Sequence, residues 1–148
     1  MNMSLEDWYR NGWLKKHTPA APQIAQLLEV AQRDLRDAEV RGLSDDWRFG
    51  IAYNAALQLA HAALLASGYA TPKGESHHFR VIESLAMTIG AADSLVRNFN
   101  GFRKMRNAGV YERAGVVSRD NAKEMLEMAK ELHETVAKWL RAHHPELV

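Results

Sequence analysis

Apolar positions recur along most of this chain with the 3.6-residue period of a helix, and strand-like alternation is nearly absent. After Pro22, which suits a first helical turn, Ile24, Leu27, Leu28, Ala31 and Leu35 fall on one stripe opposed by Gln, Arg and Asp. Gly42 is the expected stop. A third segment, about residues 45–67, is apolar almost all round, which predicts a central, buried helix. Ser44 caps it, Asp45 and Asp46 complement its dipole, and Gly68 ends it. Ser76 opens a fourth helix through "HHFRVIESLAMTIGAADSLV", and helical character continues at least to Gly109. Ser118 caps a last helix whose stripe is Ala122, Met125, Leu126, Ala129, Leu132, Val136 and Leu140.

Ser4 opens a short additional helix that ends near Asn11 and Gly12, and "HTPAAP" reads as a linker. The predicted fold is all-α: an up-and-down bundle of four long helices plus short extra helices. One domain spans 1–148, with the short helix and linker in 1–20 and the bundle in 21–145.

Composition narrows the function classes. The 148 residues suffice for one domain with a real core, and the formal net charge of +1 gives no global attraction to nucleic acid. Any electrostatic recognition is therefore local. The absence of Cys excludes disulfides, thiolate zinc sites and a cysteine nucleophile. "MNMSLEDWYRNGWLKKH" lacks the apolar run of a signal peptide. Asn54, Gln58 and His61 interrupt the most apolar stretch, so no membrane span is expected. A cytoplasmic location is the simplest expectation.

Three groups of residues carry candidate chemistry. Asn54, Gln58 and His61 share one face of the apolar third helix, and burying them demands hydrogen-bond partners. They fit a structural network, a cleft lining or a subunit interface. His77 and His78 open the fourth helix, pointing about a hundred degrees apart, so they do not readily share a metal. A bundle di-metal site wants Glu-x-x-His twice, and the chain offers it once, Glu75 to His78. Neither a metal nor a cofactor is expected. A neutral His there suits hydrogen bonding to a phosphate, or simple capping. The third group lies in "FRKMRNAGVYERAG", residues 102–115. Residues 97–113 hold Arg97, Arg103, Lys104, Arg106 and Arg113 against Glu112, a local balance of +4. On a helix, Arg103, Arg106 and Asn107 share a face, with Phe99, Phe102 and Tyr111 nearby. Guanidinium forks suit phosphates, although a solvated helix end has the same composition.

"AYNAALQLAHAALLASGY", "GESHHFRVIESL" and "FRKMRNAGVYERAGVVSRDNAKEMLEMAKELHETV" together resemble HEPN-domain proteins over roughly residues 45–140. The resemblance implies a helical bundle that pairs into a homodimer, with an Arg motif facing the interface cleft. Active members of that superfamily are metal-independent RNases bearing Arg, often Asn, then a His. Many are toxins beside a nucleotidyltransferase-like antitoxin, or modules of defence proteins. Carried over, the Arg is Arg106, the Asn is Asn107, and Tyr111 stands where the His is expected. An ordinary Tyr, with a pKa of about 10, is a poor general base at neutral pH.

The expected function is therefore a dimeric module that binds RNA, a nucleotide or a partner protein, with Arg103 and Arg106 as its main contacts. The alternative is a ribonuclease toxin in which Arg106 and Tyr111 act together at the dimer cleft. In either case His61, His77 or His78 is a candidate imidazole near Arg106.

Overall fold

The computed structural model describes residues 3–74, 77–109, 115 and 117–148. Four long helices dominate it: α2 (Ala21–Asp37), α3 (Asp45–Ala66), α6 (Asp93–Gly109) and α7 (Arg119–His143). The shorter elements are α1 (Leu5–Arg10), α4 (His77–Glu83), α5 (Leu85–Thr88) and a 3₁₀ turn at Pro145–Leu147. The chain is all-α in class, apart from a two-stranded ribbon formed by β1 (Lys15–Lys16) and β2 (Tyr69–Ala70).

The helix starts follow from local chemistry. Ser4 accepts from the Asp7 amide, and the Asp7 carboxylate reciprocates to the Ser4 amide. Ser44 accepts from the Trp47 amide at 3.1 Å. Ser118 and Asn121 form a second reciprocal box. At the end of α2, Arg48 reaches across from α3 and donates to the Ala38 and Val40 carbonyls, so α2 stops at Asp37, ahead of Gly42.

α3 is the core of the molecule. It packs most extensively against α7 on one side and α2 on another, with α4, α5 and α6 covering further faces. Tyr53, Phe49, Leu59 and Leu64 of α3 are fully buried, as are Met125, Leu132, Val136 and Leu140 of α7. By length and composition α3 could also cross a membrane, but 72% of its most apolar window lies inside the bundle. That is the burial of a central core helix.

The single helix expected from Ser76 onward is instead broken. α4 ends at Glu83, α5 ends at Thr88, and α6 starts afresh at Asp93. Gly90, at φ +69°, turns the chain in the left-handed region that a side-chain-bearing residue adopts only at a cost. Ser84 donates to the Val81 carbonyl at 2.6 Å, drawing one helical acceptor out of the regular ladder. Periodicity hides the break, because Val81, Ile82 and Leu85 keep their apolar spacing and all become fully buried.

The N-terminal segment is latched onto the end of α3. Gly68, at φ +93°, reverses the chain after α3, and its carbonyl accepts from the His17 amide at 2.9 Å. Lys15 pairs with Ala70 and Lys16 with Tyr69. The Lys16 ammonium sits 4.7 Å from the ring centres of both Tyr9 and Tyr69. Glu6 completes the latch by accepting from Lys16 at 2.9 Å and from the Tyr69 hydroxyl at 2.5 Å. The Tyr69 and Lys16 bonds hold the Glu6 carboxyl below its ordinary range.

Candidate functional site

The C-terminal half of α6 brings its basic residues onto the face of α3 that carries Tyr53. Phe99 and Phe102 anchor α6 there: Phe99 meets Tyr53 edge-on at 5.7 Å, and Phe102 meets Phe49 edge-on at 5.7 Å. One turn beyond Phe102, Arg106 lies with its guanidinium carbon 5.2 Å from the Tyr53 ring centre. The Tyr53 hydroxyl is 3.2 Å from Nδ1 of His78, and the two rings are 6.0 Å apart. A guanidinium, a phenol and an imidazole from three helices thus converge within a single chain.

Arg103 lies beside this group. Its Nε donates to Asn100 Oδ1 at 3.2 Å, and Asn100 in turn donates to Glu83 Oε2 at 3.0 Å. Its guanidinium carbon is 5.7 Å from the Phe79 ring centre. The relay from Glu83 through Asn100 orients Arg103, and among the described residues no carboxylate pairs directly with its guanidinium. Arg103 and Arg106 are both half-buried, whereas Asn107 is exposed.

The electrostatics favour neutral partners beneath the two arginines. Burial pushes the Tyr53 hydroxyl up to about 12, with the Arg106 and Arg103 charges pulling weakly the other way. Burial is also the main cause that lowers the His78 pKa, and His77, Arg106 and Arg103 add to it. His77 is lowered by burial as well. Near pH 7 the Tyr53–His78 contact is therefore a hydrogen bond between neutral groups.

The other candidate residues take distinct places. His77 follows on from His78, with the two rings 5.6 Å apart, and its Nδ1 is hydrogen-bonded to the Thr71 hydroxyl. His61 stands edge-on to His77 at 5.7 Å. Burial first, then the neighbouring His77 and His17, push its pKa down to about 4. Asn54 and Gln58 turn toward α2 instead. Asn54 donates to Asp34 at 2.7 Å and accepts from Gln58 at 3.4 Å, while Arg33 holds the other Asp34 oxygen at 3.0 Å. Asp34 is only 5% exposed, so this network satisfies a buried charge between two helices. Tyr111 lies outside the described residues. Among the described residues, no three His, Asp or Glu side chains converge as a metal-binding set.

Tyr53 and Phe79 are the site members that residue-by-residue reading passes over. The usable signal for Tyr53 was its hydroxyl: a Tyr inside a helix apolar on every side must find a polar partner when buried.

No curated protein matches the chain, and no solved structure matches it. The HEPN domain family matches residues 24–139, from the start of α2 to near the end of α7 and including every residue of the Arg106–Tyr53–His78 group, and the chain belongs to that family.

Proposed function

We propose that this protein is an RNA- or nucleotide-binding HEPN module, and that Arg106, Arg103 and His78 hold a phosphate of its ligand. The observation that carries the reading is the stack of Arg106 on Tyr53, with His78 bonded to the same phenol. A phenol is a better donor than acceptor, so the Tyr53 O–H donates to Nδ1. That fixes His78 as the tautomer with its N–H on Nε2. Nε2–H, the Nη groups of Arg103 and the Arg106 guanidinium then form a set of donors for phosphate oxygens, and none of them needs to gain a proton to bind.

The same tautomer argues against cleavage by this chain's own His78. A general base needs a free lone pair, and Nε2 has none while Tyr53 donates to Nδ1. A general acid needs an imidazolium near neutral pH, and the depressed His78 pKa works against that. Binding is therefore favoured over the ribonuclease alternative. The reading extends to residues 1–148 as one unit, acting as a cytoplasmic homodimer, with a nucleotidyltransferase-like protein as a candidate partner in a toxin–antitoxin or defence system. Family membership over residues 24–139 supports the RNA-related or toxin-like part of this reading; the location and the 1–148 unit are carried by the sequence pattern alone.

The test is fluorescence anisotropy with labelled single-stranded RNA at about 50 and 200 mM salt, which should give an affinity that falls steeply with salt. Arg106→Ala should weaken it even when compared at full occupancy of the folded state. Absence of binding, or binding indifferent to Arg106, overturns the reading. Incubation of the same RNA in EDTA separates the alternative: intact RNA supports binding alone, and metal-free cleavage that Arg106→Ala abolishes favours the ribonuclease.

A further inference from the structure

Arg103 is not the only guanidinium on Phe79. The Arg80 guanidinium carbon lies 5.5 Å from the same ring centre, 4.0 Å from that of Trp13 and 5.2 Å from that of Trp8. Trp8 and Trp13 meet edge-on at 6.1 Å, so Arg80 is seated in a corner of aromatic rings. Beside it opens a pocket of about 380 Å³, within the range of small-ligand sites. Its walls include Trp13, Thr71, Lys73, His77 and Arg80. Among the described residues lining it there are two basic side chains, Lys73 and Arg80, and no carboxylate. His77 has Nδ1 committed to Thr71, which leaves Nε2 as its remaining hydrogen-bonding atom.

We propose that this pocket is a second nucleotide subsite, where Arg80, Lys73 and His77 take the phosphate next to the one at Arg106 and His78, with the Trp13 ring as an apolar wall. The ligand it implies is single-stranded RNA of at least two nucleotides. The inference rests on the phosphate site proposed above and deepens it. The adjacent His77 and His78 rings join the two sites, and Phe79 carries one arginine of each. Basic side chains interleaved with aromatic rings are the arrangement that tracks a single strand, because the cations follow the backbone and ring faces accept any base. A duplex would offer the Trp13 wall no free base face.

The experiment measures binding of a short fluorescein-labelled oligouridylate to the full chain and to Lys73→Ala, Lys73→Glu and Arg106→Ala, across a salt series. Lys73 is exposed, so its variants should melt with the parent. Lys73→Glu is expected to weaken binding roughly tenfold at low salt, and Lys73→Ala to lower the salt slope by about 0.7. If the parent binds and Arg106→Ala weakens it while both Lys73 variants match the parent, the second subsite is overturned and the first site stands. If the Lys73 variants weaken binding and Arg106→Ala does not, the subsite stands and the first site is overturned. No binding by the parent overturns both. Arg80→Lys keeps the charge but loses the guanidinium seated over the Trp13 ring, and should also weaken binding; parent-like affinity there would count against the aromatic corner as the device that aims Arg80.

Discussion

Arg106 rests on Tyr53, its guanidinium carbon 5.2 Å from the ring centre, so the basic end of α6 is braced by a fully buried residue of the core helix. The charge is thereby positioned by packing. An arginine on a solvated helix end samples many rotamers, and ordering it on binding costs free energy. One laid on a rigid ring has already lost part of that freedom.

Tyr53→Phe removes the hydroxyl and keeps the ring beneath Arg106. The loss of the bond to His78 should cost about 1 kcal/mol of stability, read from urea unfolding. It also releases His78 Nδ1, so the tautomer is no longer fixed and RNA affinity should fall. Unchanged affinity would show that the phenol does not set the imidazole.

Arg106→Lys keeps the charge and loses the guanidinium fork placed over the Tyr53 ring. RNA affinity should drop about tenfold, near 1.4 kcal/mol, and by a similar factor for different sequences. Titrations with two unrelated oligonucleotides check this. A change confined to one sequence would point to base reading at Arg106 instead of phosphate binding.

Asn54→Ala strips the 2.7 Å donor from buried Asp34 and should cost about 1–3 kcal/mol in stability. RNA binding of the folded variant should match the parent. Altered binding at full occupancy of the folded state would return Asn54 to the ligand site.

Acid should destabilise the fold through His61. The unfolded chain binds a proton near the ordinary imidazole value of 6.5, whereas the native state resists protonation until about 4. Between those values the unfolded state holds more protons, so stability is greatest above 6.5 and declines as pH falls toward 4. His77 and His78 are lowered too and act in the same direction. Melting temperatures across that range should fall with pH, and His61→Gln should flatten the slope. A parent curve with no decline over the window would contradict this assignment.

The sequence made the long helices legible because their stripes and caps are local properties. Ser4, Ser44 and Ser118 are N-caps as the pattern predicts, and the buried stripe of α7 is the one the spacing picks out, with Leu126 only partly buried at its edge. The break at Gly90 and the Lys15–Lys16 ribbon were not legible. The first keeps the apolar register through the turn, and the second is two residues long, too short to alternate. At the candidate site, Arg103, Arg106, His77 and His78 could be named from residue type. Their grouping could not, since it depends on how α4 and α6 lie on α3. Asn54, Gln58 and His61 share a helix face, as their spacing requires, yet Asn54 meets Asp34 with Gln58 bonded behind it, and His61 meets His77. That division is set by which neighbour covers each end of α3.

The segment by which the family is recognised begins at residue 24, yet both indole rings that seat Arg80 come from residues before it. The recognisable domain and the surface that orients its cations are therefore not coextensive. An appended arm, held by a short ribbon in which Lys16 is clasped between two tyrosines, sets the posture of an arginine belonging to the domain proper. Changes at the exposed positions of that arm can retune the surface, whereas Trp8 and Leu14 tie it into the buried core.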